Sequence, residues 1–148
     1  MNVILFIHIL SATAWIGGSL FLFALGVFLR DKDAQGDVYG HIGPIYGYFE
    51  TFWLLSLLAT GTTMFFHFGI GDVLLFAPDS TLAQEMTHKL YAVGLISVLT
   101  IIHMAIAFKV HKASRTTIQN IVMRGSSLLI FVLNIVILWH AIGVRSSL

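Results

Sequence analysis

This 148-residue chain is 57% hydrophobic and only 10% charged, with a mean hydropathy of +0.91. Soluble domains average about 25% charge, so this chain cannot cover itself with polar surface in water, and its net charge of +1, with no basic run or basic–aromatic interleaving, gives no footing for nucleic acid. The absence of cysteine excludes disulfides, thiolate zinc sites, cysteine-held iron–sulfur clusters and covalently attached c-type haem.

In chain order, four apolar runs each reach the roughly 20 residues that a helix needs to cross the hydrocarbon core. They are expected at about 3–29, 49–68, 90–108 and 126–144. The first contains HILSATAWIGG, His8 to Gly18. Ala12-Thr13-Ala14 has the look of a signal-peptidase site, but no Lys or Arg precedes the run and the run continues past it, so a cleaved signal is not expected. The connecting loops are expected to hold most of the charge, Pro44, Pro78 and many glycines, and there is no internal repeat. Lipid forces backbone groups to pair within each segment. The expected fold class is therefore all-α: a single integral-membrane four-helix bundle over residues 1–148, with the lipid bilayer as its partner.

Cation placement orients the bundle. Arg30, Lys32, Lys109, Lys112, Arg115 and Arg124 belong to the first and third loops and their flanks, leaving only Lys89 and Arg145 on the other side. Six of the eight cations then face the cytoplasm and both termini face the outer, periplasmic side. The loop at 69–87 carries Asp72, Asp79 and Glu85 without a cation, which agrees. Small residues line the first span (Ser11, Ala12, Ala14, Gly17, Gly18, Ser19) and the second (Thr60, Gly61, Thr62, Thr63), as close helix packing in lipid requires. Asn134 is expected to make an interhelical hydrogen bond near mid-membrane, and Glu50 to open the second span as a solvated group.

Ionisable side chains in membrane helices are costly and face the bundle interior. With the spans alternating in direction, His8, His67, His88 and His140 all fall about 10–15 Å to the same side of the midplane. His103, about 22 Å further along the third span than His88, is an exception. His41 and His111 are expected in cytoplasmic loops. Imidazole is a leading ligand for iron and copper, and facing histidines in a four-helix bundle hold haem b by two axial nitrogens. His8, His140 and His88 are the candidate metal ligands, with His67 competing for the second axial position. Trp15, at i+7 from His8 and hence on one face with it, is either a packing anchor or a wall of the cofactor pocket. Lys89 is a candidate partner for a haem propionate or acidic substrate, or for proton transfer, or simply snorkels to the headgroups. Met64, Met86 and Met104 are soft donors for Cu(I) or plain filler. There is no HExxH, P-loop, GxGxxG or carboxylate pair within a span.

These residues resemble a known family. His8, seven residues on Trp15, then Ile16-Gly17-Gly18, resembles the opening helix of the copper-resistance D (CopD)-like membrane domain, and the same spacing occurs in the related HemJ-type protoporphyrinogen oxidases. Thr60-Gly61 resembles the small-residue step of their second helix, and His88-Lys89-Leu90 the start of their third. The resemblance implies a haem-b-binding or copper-handling bundle in which His8 and Lys89 match functionally important positions. The HemJ-type Pro-Arg pair late in the first helix is absent from FALGVFLRDKD, and the fourth helix opens RGSSLLIF without the Asn-Glu-x-Pro-like segment. The likeness is therefore to the broader copper-resistance-D-like group.

The leading expectation is a haem-b-binding protein of the bacterial inner membrane that transfers electrons to or from a partner the sequence does not name. The alternatives are a copper-handling transport protein, a HemJ-type oxidoreductase, and a structural subunit whose histidines only make hydrogen bonds. Four helices make a thin bundle, so a homodimer is a reasonable expectation.

Overall fold

The computed structural model describes residues 1–110 and 117–147, with side chains described except at 32, 35–36, 39–40, 44, 106–110 and 117–124. His111, Lys112 and Arg115 lie outside the described residues, and the side chains of Lys32, Lys109 and Arg124 outside the described side chains. The described chain is all-helical: α1 (Asn2–Phe28), α2 (Lys32–His67), α3 (Ile70–Phe76), α4 (Thr81–Val110) and α5 (Thr117–Ser147). Four stretches are long and apolar enough to cross a membrane: Asn2–Phe28, His41–His67, Thr81–Ala105 and Gly125–Ser147. Few residues in these spans are buried, and Phe6, Phe21, Phe52, Leu55, Ile101 and Trp139 are among many large apolar side chains on the outside. That is the surface lipid demands.

The helices overrun the apolar stretches that the sequence marks out. Backbone bonding continues wherever a cap allows, whatever the solvent around it. The 36-residue α2 begins at Asp31, whose carboxylate accepts from the Asp33 backbone N–H at 3.0 Å. It runs through Pro44, which is thus inside a helix and not in a loop; a membrane bundle tolerates this because neighbouring groups re-satisfy the freed carbonyl. His41 accordingly sits in a helical turn, with Nδ1 2.8 Å from the Asp37 carbonyl. The stretch at 69–87, expected as a loop, is mostly helix. Gly69, at φ 62, takes the left-handed conformation that ends α2 and starts α3. Ser80 then opens α4, its Oγ accepting from the Ala83 N–H at 3.2 Å.

The four long helices form a ring. α1 packs extensively on α2 and α4 on α5, while α1–α5 and α2–α4 touch more thinly. No described contact of that kind joins α1 to α4 or α2 to α5 across the ring. At mid-depth Trp15, Leu54, Ala92, Ile96, Ile130 and Leu133 fill the centre. A second small core, Ile70 with Met86 and Val144, pins α3 over the ends of α4 and α5. Two links close the seam between the helix pairs: Asn134 donates from Nδ2 to Ser19 Oγ at 2.9 Å, and Phe23 stacks on Phe131 at 4.6 Å between centroids.

Candidate functional site: two anchored imidazoles at one end of the bundle

α1 and α2 meet through hydroxyls and one imidazole. Ser11, fully buried, donates to the Ile7 carbonyl at 2.7 Å and so accepts from Ser56, 2.8 Å away. One turn further out, His8 Nδ1 lies 2.8 Å from Thr60 Oγ1. The single Thr60 proton is committed to the Ser56 carbonyl at 2.6 Å. Thr60 can therefore only accept, so His8 Nδ1 carries the proton and the neutral ring has its lone pair on Nε2. Gly61 makes room for this: a Cβ there would stand 3.3 Å from His8 Cε1. Within this small-residue step, Thr60 orients the ring and Gly61 admits it.

α4 and α5 meet at the same end through charge. Glu85 Oε2 accepts from His140 Nδ1 at 2.6 Å, with both side chains about three-quarters shielded (27% and 21% exposed). The contact depends on Gly143, where a Cβ would fall 2.6 Å from Glu85 Cδ. His88, one turn along from Glu85, stacks on His140 with centroids 5.3 Å apart and planes 29° from parallel. Here too Nδ1 is engaged and Nε2 is the nitrogen left to face a ligand. A carboxylate or hydroxyl behind an imidazole is the arrangement that fixes tautomer and orientation in metal-bound histidines.

The structure thus brings His88 and His140 together, adds Glu85, and holds His8 on the adjacent helix pair. Lys89 is half-buried and lies within electrostatic range of His8. His67 is exposed at the end of α2, its ring edge-on to Phe68. Among the described residues, no three His, Asp or Glu side chains converge on one point at metal-ligand spacing. A bis-imidazole ligation needs only two. Met86 is buried against Ile70 and Val144, where it acts as packing. Trp15 is buried in the central core at 3% exposure. Its Nε1–H is nonetheless one of two buried polar side-chain atoms without a partner among the described residues; the other is Thr100 Oγ1. Native interiors leave few such groups.

On the other side of the core, His103 Nδ1 lies 2.8 Å from Ser126 Oγ, again joining α4 to α5. Glu50 departs from its expected solvated state: it is 4% exposed. Two residues emerge that the sequence did not single out as site residues, Glu85 and Gly143. Their signal was present as spacing: Glu85, His88 and Ala92 fall at i, i+3 and i+7, one helical face once α4 is known to start at Thr81.

No family model, no curated protein and no solved structure matches this chain.

Proposed function

We propose that this multi-pass membrane protein binds haem b in a bacterial inner membrane and passes electrons, with His8 and His140 as axial ligands and both termini on the periplasmic side. The observation that carries the reading is the pair of anchored imidazoles: His8 on Thr60 and His140 on Glu85, each with Nδ1 engaged by a neighbouring helix. That donor set fits haem iron, which takes neutral imidazole nitrogen on each face. When bound, the group supplies a one-electron couple. Thr60 and Glu85 hold the rings in place, Lys89 offers a cation to an acidic edge, and the Trp15 core separates the site from the opposite end of the bundle. The resemblance of His8 to Gly18 to copper-resistance-D-like proteins and the six-to-two cation count support the same reading, including its orientation.

Copper handling is the second reading. It is favoured by the side-by-side imidazoles of His88 and His140, 5.3 Å apart between centroids, a nitrogen pair of the kind Cu(I) would take.

The test is an absorption spectrum of protein purified in mild detergent after expression with ample haem, oxidised and then dithionite-reduced. The expected result is a Soret band with sharp reduced α and β bands, lost in His8→Ala and in His140→Ala. A featureless wild-type spectrum overturns the haem reading. Stoichiometric copper without a Soret band replaces it with the copper one.

A further inference from the structure

The anchored imidazoles leave one ionisable group without a task. Glu50 lies within the membrane span His41–His67, at 4% exposure. Its carboxyl makes no hydrogen bond or ion pair to any described residue, whereas Glu85, at the other end, has His140. An ionised carboxylate taken out of water costs several kcal/mol unless it is paired, while the neutral acid loses only hydrogen bonds. Intramembrane ionisable residues persist where they serve a function.

The surroundings give Glu50 a direction. One turn along α2 is Leu54, part of the apolar core with Trp15 and Ile96. That core stands between Glu50 and the Ser11–Ser56 and His8–Thr60 contacts. One turn the other way is Tyr46, half-buried, its ring lying where a Cβ on Gly18 would meet Cε2 at 3.0 Å and the hydroxyl at 3.2 Å. Beyond Tyr46 the chain leads back to the Leu29–Asp31 turn joining α1 to α2. Thr51, next to Glu50, walls a groove of about 330 Å³ between α2 and α4 together with Thr100. Thr100 supplies the unpartnered buried hydroxyl. Glu50 and Thr100 are thus polar groups flanking an otherwise apolar groove.

Among the described residues, few other titratable groups face this place. On α2 there is Tyr46; on α4, His103, which is engaged with Ser126. On α1 the level of Glu50 is that of Gly17 and Gly18, and the only titratable side chain of that helix, His8, lies beyond the core. On α3, Asp72 lies at the opposite end of the bundle.

We propose that Glu50 is a proton-binding site, loaded and emptied past Tyr46 from the end of the bundle that carries the α1–α2 turn, and closed toward the other end by the Trp15–Leu54–Ile96 core. The exchange is a plain one: hydronium gives its proton to the carboxylate, leaving water and a carboxylic acid, and the reverse step returns it. This inference does not rest on haem or copper.

Carbodiimides that partition into lipid add to protonated carboxyls in apolar surroundings, so the full chain in proteoliposomes is treated with dicyclohexylcarbodiimide and the adduct mapped by peptide mass. The expected adduct is on Glu50, absent in Glu50→Gln and undiminished in Glu85→Gln. Because the chain has no cysteine, Arg30→Cys gives a single thiol tag for the face bearing the α1–α2 turn. Raising the pH on that face alone is expected to suppress labelling; raising it on the opposite face alone is not. Labelling that ignores Glu50→Gln, or falls on other carboxyls only, overturns the proposal, and equal response to both faces overturns the closure. If Glu50→Gln does not fold, the wild-type adduct position and its one-sided pH response decide the matter.

Discussion

The two helix pairs close by different chemistry at the same end of the bundle. α1 and α2 are clasped by neutral groups, Ser56 to Ser11 and His8 to Thr60. α4 and α5 are clasped by a carboxylate on an imidazole at 2.6 Å, with a second imidazole stacked on it. Charge-assisted bonds are shorter and about twice as strong as neutral ones. A carboxylate behind Nδ1 also makes the imidazole a stronger donor through Nε2 than a hydroxyl does. In a haem held between them, His140 would therefore be the more basic ligand and His8 the more easily displaced one. The glycines follow the same division. Gly143 is the tighter of the two, since a Cβ there would overlap the end of the Glu85 side chain and force it to shift, whereas Gly61 leaves His8 only a few tenths of an ångström to give.

Three substitutions test that difference. The largest effect is expected from Gly143→Ala: the added methyl pushes the Glu85 carboxylate off His140, at a cost of about 1.5–3 kcal/mol, the range for hydrogen bonds to charged groups. Unfolding in detergent should register this as a lowered Tm. Thr60→Val keeps the shape and removes the acceptor for His8; interhelical hydrogen bonds in membranes average about 0.6 kcal/mol, so its loss of Tm should be well below that of Gly143→Ala. If the two cost the same, the distinction between a charged and a neutral clasp fails. In haem-loaded protein, loss of such a supporting partner is expected to weaken cofactor affinity by about 10–100-fold, read as Soret absorbance on titration. Gly61→Ala should do least. Its Cβ would sit 3.3 Å from His8 Cε1, so the ring needs to give by only a few tenths of an ångström, and Tm should move by less than in Thr60→Val.

Hydropathy made the four spans legible, because lipid leaves no other way to satisfy a backbone. The helix ends were less legible. Asp31 and Ser80 cap helices that begin well before their apolar stretches, and capping is a local event indifferent to hydropathy. That shift hid Glu85, which reads as a loop acid if the third span starts at 90 and as an interior side chain once α4 starts at Thr81. Glu50 misled for a related reason. Its place near the start of an apolar run suggested the interface, but Glu50, Leu54 and Leu57 share one face, and Leu54 belongs to the core. The histidines divided by partner: alternation of direction put four at a similar depth, yet only contacts could distinguish His140, held by Glu85, from His67, which lies exposed against Phe68. Asn134 was legible because a buried amide in lipid must find a partner, and Ser19 is that partner.

The ring has two broad contacts and two thin ones, with neighbours in sequence making the broad ones. For biogenesis, this sets an order of assembly. Each hairpin carries its own clasp, so it can close as soon as its second helix has entered lipid, before the other half has left the ribosome. The Phe23–Phe131 stack and the Asn134–Ser19 bond then form last, as a docking step between two finished units. A chain divided in the Pro78 turn, between α3 and α4, would still hold a complete hairpin in each fragment.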